Sequence, residues 1–147
     1  MAGKGNNNSI GFLEIIFQAT VSADYATLVL NATSSPATNL YVSLHTADPG
    51  PAGGQNTSEA AYTGYARVAV ARTGSGWSIS SETISNVGAI TFGTSSSGPE
   101  TETYVGIGLA SSGAGVLLYS GALSASLVVN NGITPSFAAG QLTVTES

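Results

Sequence analysis

The sequence predicts an all-β protein, an antiparallel β-sandwich or barrel-like domain preceded by a short N-terminal helix. Three observations carry that prediction. Short β-rich runs recur from Tyr25 to the C-terminus, clusters of turn formers separate them, and several runs alternate in polarity with the period of a strand. At 147 residues and 14.6 kDa the length suits one domain with a tail, and the boundaries expected are an N-terminal arm and helix over residues 1–24 and a β domain over 25–147.

The elements follow in chain order. Met1 to Ser9, MAGKGNNNS, shows no periodicity and has the Gly and Asn content of an arm. From Ile10 the apolar residues recur at helical spacing and Ser9 suits an N-cap, so the spacing predicts a helix over Ser9–Ala19. That helix is apolar on most of its circumference and needs cover on several sides, from the core or from a neighbour. Strands are expected at Thr27–Asn31, Leu40–His45, Ala66–Ala71, Trp77–Ser80, Thr83–Val87, Ala89–Phe92, Thr103–Leu109, Val116–Ala122, Leu127–Val129 and Gln141–Thr145. Between them, Asp48-Pro49-Gly50-Pro51 breaks the chain, Gly74-Ser75-Gly76 and Ser111-Ser112-Gly113 fit tight hairpins, and Asn130-Asn131-Gly132 accepts positive φ. In Leu40–His45 one face carries Leu40, Val42 and Leu44 and reads as core, against Tyr41, Ser43 and His45 on the other.

Composition narrows the chemistry. Three basic and eight acidic residues make only 7% of the chain charged, against roughly 25% in an ordinary soluble domain. The exterior must therefore be Ser, Thr, Asn, Gly and Ala, groups far cheaper to take out of water than charges. Sheet edges are normally guarded by Lys, which is nearly absent here, so copies of the same chain or a larger assembly are expected to cover them. A net charge of −5 argues against nucleic acid as a partner. No apolar run reaches the roughly 18 residues of a membrane span, so no membrane partner is expected. No signal-peptide pattern is evident near the N-terminus, and synthesis in the cytoplasm is the expectation. The chain has no cysteine, hence neither a disulfide framework nor a thiolate metal site.

Candidate catalytic residues are few. His45 is the only histidine, and Asp48 lies three residues on, but no G-x-S-x-G elbow completes a triad. The structural reading is stronger: Asp48 before Pro49 forms an Asx-turn, and His45 at a strand end bonds across the loop. Glu100 and Glu102 would share one face of an extended segment, where a calcium site or a solvated loop are the two readings, the loop being preferred. Gly106-Ile-Gly108 lacks the third glycine of a dinucleotide fingerprint. Tyr41, Tyr62, Tyr65, Trp77 and Tyr104 could stack on a sugar but fall on separate strands and read as packing residues. No catalytic residue, cofactor or metal is assigned, and the chain is not expected to be an enzyme.

Four stretches carry a resemblance in order and spacing over nearly the whole chain: Asn39-Leu-Tyr-Val-Ser-Leu-His-Thr-Ala-Asp-Pro-Gly50, Tyr62-Thr-Gly-Tyr-Ala-Arg-Val-Ala-Val70, Ser85-Asn86 with Ala89-Ile-Thr-Phe92, and Ala122-Leu123 with Asn131-Gly-Ile-Thr-Pro-Ser-Phe-Ala-Ala-Gly140. Together they resemble a family of small tailed-bacteriophage virion proteins, often labelled tail-fibre-like and including capsid decoration or cement types. The resemblance implies a virion structural protein, in first place a decoration protein on the capsid surface that binds the major capsid protein and copies of itself and stabilises the head shell. The alternative it implies is a tail-tip or fibre-associated receptor-binding module, with loops Ser95–Pro99 and Ser111–Gly113 toward a cell-surface glycan. Fibre shafts show internal repeats, and none is found here. On this reading the candidate interface residues are Phe12, Ile16, Phe17, Tyr41 and Arg67, with Arg67 expected to pair internally with Asp48 or Glu59.

Overall fold

The computed structural model describes residues 6–20 and 37–146. The first five residues of the expected arm and the strand expected at Thr27–Asn31 lie outside them. In chain order the elements are helix α1 (Asn6–Leu13), a π-helical turn (Glu14–Gln18), and strands β1 (Asn39–His45), β2 (Val68–Ala71), β3 (Trp77–Ser80), β4 (Thr83–Asn86), β5 (Ile90–Thr91), β6 (Glu100–Gly108), β7 (Leu117–Val129), β8 (Ser136–Phe137) and β9 (Thr143–Thr145). The all-β class with one short leading helix holds, the sheets are antiparallel, and none closes into a barrel. The described residues form two compact units, one from 6–20, 37–38, 71–89 and 137–146, the other from Asn39–Val70 and Ile90–Ser136.

In the first unit the helix begins at Asn6, three residues before the expected cap at Ser9, and its last turn widens to π. It ends where Ala19 takes a left-handed conformation, φ 53°, and its N–H donates to the Glu14 carbonyl. Carbonyls at a helix C-terminus lack intrahelical donors. The Arg72 guanidinium supplies them, donating to the Ile15 and Ile16 carbonyls and to Ala37 O at 3.1 Å, and its charge complements the helix dipole. Phe17 meets Trp77 edge to face, ring centroids 4.8 Å apart. Leu13, Phe17, Trp77, Ile84 and Leu142 are buried in this unit, which contains the three-stranded sheet β3-β4-β9. Asn86 pins the return to β9: its amide nitrogen donates to Gly88 O and Ala138 O, and its amide oxygen accepts from Leu142 N–H. Thr73–Gly76 is a turn, as expected, yet it joins β2 to β3 of different sheets and closes no hairpin.

The second unit is organised on the sheet β2-β1-β6-β7. In the β1–β6 ladder Val42 faces Ile107, Ser43 faces Gly106 and His45 faces Tyr104. Alternation along β1 survives only at its start, since from Val42 to His45 every residue is buried. The segment 58–60 pairs alongside the end of β1, through Thr46 N–H to Ser58 O at 2.8 Å and Ala60 N–H to Leu44 O at 2.9 Å, and the Thr57 carbonyl lies on the His45 side chain. The two strands expected at Val116–Ala122 and Leu127–Val129 are one, β7. Its register against β6 jumps from Ala122↔Tyr104 to Leu127↔Glu102, so Leu123–Ser126 bulge opposite Thr103 while the strand continues. The hairpin expected at Ser111–Gly113 joins β6 to β7, with Gly113 at φ 67°. Strand β8 was not expected; two residues carry no readable period.

Candidate functional site

Charged side chains are scarce, so where ionisable groups are buried they mark the places to inspect for chemistry. The second unit holds two such places. The first centres on Arg67, whose side chain is 1% exposed. Its Nε donates to Glu59 Oε1 at 2.6 Å and Nη2 to Glu59 Oε2 at 2.7 Å, a bidentate pair. The same guanidinium donates through Nη1 to Ala110 O at 2.8 Å and through Nη2 to Gly113 O at 2.6 Å. The sequence offered Asp48 or Glu59 as its partner; it is Glu59, and Asp48 instead accepts from Gly50 N–H at 2.9 Å in the expected Asx-turn. Hydrogen bonding to Glu59 holds the Arg67 proton more tightly still. Tyr65 completes the group, donating to Glu59 Oε1 at 2.9 Å and accepting from Leu44 N–H at 3.1 Å. Its ring stacks on Phe92 and meets Tyr62 edge to face.

His45 lies close by and is fully buried. Its Nδ1 lies 2.9 Å from the Thr57 carbonyl, which can only accept, so Nδ1 carries the proton and Nε2 accepts from Ser43 Oγ at 2.9 Å. Burial depresses the His45 pKa, keeping the ring neutral. A serine hydroxyl on a histidine nitrogen has the outline of a nucleophile and its base. Here Ser43 is also fully buried, and the Gly106 backbone closes over both. A Cβ built on Gly106 would come within 2.6 Å of His45 Nε2 and 2.7 Å of Ser43 Oγ. The contact therefore serves packing, in agreement with the structural reading of His45, and no substrate carbonyl fits against Ser43.

Gln55, also fully buried, is held the same way. Its Oε1 accepts from Ala110 N–H at 2.8 Å, and glycines stand where side chains would strike it, Gly108 with a built Cβ at 2.2 Å and Gly115 at 2.5 Å. Gly106 and Gly108, read in the sequence only as a failed fingerprint, are the two places where β6 admits a polar side chain from across the sheet. A glycine inside a strand signals such close approach, and that signal could have found Gln55 and Ser43. Above the Arg67–Glu59 pair a shallow pocket of about 280 Å³ is lined by these two residues, Tyr65 and Ser111–Gly113. Its charges are already committed to each other.

The second place is Glu102. The preferred solvated-loop reading is overturned, because Glu100 and Glu102 both lie in β6 and Glu102 is 0% exposed. Glu100 Oε1 accepts from Ala61 N–H at 2.8 Å and Tyr62 N–H at 3.0 Å, pinning that segment to the sheet. Neither oxygen of Glu102 meets a donor. Burial first, and then the neighbouring Glu100 carboxyl, push its pKa up to about 8. At neutral pH Glu102 is thus a carboxylic acid, and in that form it can donate to Glu100. Burial and these two carboxyls also push the nearby Tyr62 hydroxyl to about 12. Among the described residues no three His, Asp or Glu side chains converge as metal ligands would.

The expected interface residues fall in different environments. Phe12 is 45% exposed, Ile16 and Tyr41 are half-buried, and Phe17 and Arg67 are buried, the former against Trp77 and the latter on Glu59. Of the five tyrosine and tryptophan residues, Tyr65 meets Tyr62 edge to face and stacks on Phe92 in the second unit, and Trp77 packs with Phe17 in the first. Among the described residues no helix is long and apolar enough to cross a membrane. A family model described as "Podophage GP4 fiber I protein gp80" matches residues 17–145, nearly all of the described chain. Comparison with curated proteins finds no match.

Proposed function

We propose, from the premise that this chain belongs to the podophage GP4 fiber I protein gp80 family and is a phage structural protein, that it serves as a non-catalytic structural module of the virion's fibre apparatus. The observation that carries this reading is the family match, taken with a site chemistry that is turned inward. Arg67, Glu59, His45 and Glu102 are all engaged in or under the sheet, while the exposed residues are nearly all uncharged. Such an exterior costs little to desolvate and suits contact with other protein over a wide area. The resemblance drawn from the sequence ranked head decoration first; the family's description moves our preference to the fibre. A decoration protein seated on the major capsid protein would draw on the same neutral surface, and location separates the two.

Antibody labelling of intact particles, with the copy number per virion from quantitative mass spectrometry, tests the reading. Label confined to the tail, at a few tens of copies or fewer, is the expected result. Label spread over the head at hundreds of copies would establish the decoration role instead. His45→Ala particles are expected to adsorb and infect in proportion to how much variant protein folds. A selective loss of an envelope-degrading activity, with folding intact, would overturn the non-catalytic part.

A further inference from the structure

Glu100 and Glu102 lie two residues apart in β6 and share one face of the strand. Across the ladder Val129 stands opposite Glu100 and Leu127 opposite Glu102, so β7 brings them no charge. Glu100 is half-buried, and its Oε1 takes the N–H groups of Ala61 and Tyr62. The segment so fixed holds the loop after β5 in turn. Thr63 N–H donates to Ser97 Oγ at 2.8 Å, Ser96 N–H to the Thr63 carbonyl at 2.9 Å, and the Tyr62 hydroxyl to Gly93 O at 3.2 Å. Ala61, Thr63 and Ser96 are exposed, so what Glu100 positions is a stretch of surface.

Glu102 is 0% exposed, and no donor reaches either of its oxygens. A carboxylate there would have neither water nor a partner, which makes the acid the resident form. The Glu100 carboxyl is within hydrogen-bonding reach of that acid, so one proton serves both groups. Taking it away leaves two like charges side by side, and among the described residues no cation acts on Glu102. Of the two, Glu100 has solvent to move to, and in moving it abandons the Ala61 and Tyr62 N–H groups. We propose that the Glu100–Glu102 pair is a proton-held latch: the shared proton keeps Glu100 seated on the Ala61 and Tyr62 amides, and its loss loosens residues 61–63 and their hold on Ser96 and Ser97 while the sheet stays folded.

Burial and then the Glu100 carboxyl push Glu102 from its ordinary 4.5 to about 8 with the latch closed. The closed state thus binds the proton more tightly than the open one, so opening becomes easier as pH climbs toward 8 and no easier beyond it. The other titratable groups nearby are Tyr62, Tyr104 farther along β6, and His45 opposite Tyr104 on β1. Tyr62, raised to about 12 by burial and then by the two carboxyls, stays neutral throughout. His45 is lowered below 6.5 by burial and acted on by Glu59 and Arg67, so it is neutral above that value. The interval from 6.5 to 8 therefore reads the latch alone. Nothing in it depends on where in the particle the chain sits, and its failure would leave the fibre reading untouched.

Amide hydrogen exchange of the full-length protein, followed by NMR from pH 6.5 to 9 and corrected for the intrinsic rate at each pH, tests the latch. Protection of the Ala61 and Tyr62 amides is expected to fall about tenfold per pH unit up to 8 and then to level. A local opening exposes little surface, so this exchange should be insensitive to low urea, unlike that of the better protected β1–β6 ladder. Glu102→Gln, whose amide donates to Glu100 at every pH, is expected to abolish the pH dependence at both amides. The parent should also show the infrared C=O band of a protonated carboxyl at pH 6.5, lost by pH 9. A pH-independent protection in the parent, an equal dependence in Glu102→Gln, or exchange of both amides only by the urea-sensitive route would each overturn the proposal. Should Glu102→Gln not fold, the parent decides, and absence of the protonated carboxyl band at pH 6.5 would overturn it as well.

Discussion

Two buried ionisable groups lie in the second unit and are handled in opposite ways. Around Arg67 every charge has a counter-charge or a carbonyl; at Glu102 no donor is supplied and the group gives up its charge instead. In a chain with so few ions, burial of a charge is sustained by full satisfaction or avoided by holding the proton. The Arg67 cluster should therefore be a source of stability that breaks when cut, and Glu102 a weakness that improves when removed.

The largest expected effect comes from cutting the first. Arg67→Met leaves Glu59 without its counter-charge beneath the 111–113 hairpin, and loss of one partner of a buried pair costs about 3–5 kcal/mol, read as a lower urea midpoint. Replacing both, Arg67→Met with Glu59→Leu, should recover a large part of that loss; no recovery would mean that the two carbonyl contacts, not the ion pair, dominate. Next comes Gly106→Ala, whose methyl group must displace His45, Ser43 or Leu117; overpacking of this sort costs about 1–3 kcal/mol, checked by thermal unfolding.

Glu102→Gln works in the other direction. An acid whose pKa is raised by folding binds its proton more tightly in the folded state, so stability falls as pH climbs from its ordinary 4.5 to about 8 and then levels. His45, depressed below its ordinary 6.5, acts oppositely and costs stability as pH drops beneath that value. Between 6.5 and 8 the slope thus belongs to Glu102. Glu102→Gln is expected to gain roughly 0.5–2 kcal/mol at pH 8 and to flatten the slope in that interval; an unchanged slope would show that Glu102 is ionised in the fold. The smallest effect is at the exposed Asx-turn, where Asp48→Ala should cost no more than about 0.5 kcal/mol in the same assay.

How much of this could be read from the sequence differs between the two places as well. The strands beside both were legible as short β-rich runs bounded by turn formers, Ala66–Ala71 around Arg67 and Thr103–Leu109 starting one residue after Glu102. Asp48 and His45 were legible in role, since their partners lie in the adjoining turn. The contacts of Arg67 with Ala110 and Gly113 were not, because they join residues more than forty apart in sequence and no local period encodes them. Glu102 was misread since Ser95–Pro99 suggests an exposed loop that ends later than it does. Likewise Leu123–Ser126 read as a break between strands; in the structure it bulges out of the ladder opposite Thr103, and pairing with β6 resumes at Leu127.

The Arg67 anchor grips the 110–113 turn only by main-chain oxygens. Nothing in that grip inspects the side chains of Ser111, Ser112 or Ala114, which are exposed. The turn is consequently a mount of fixed shape with exchangeable lettering, a position at which variants can accumulate, or foreign peptide letters be written, without loosening the sheet below.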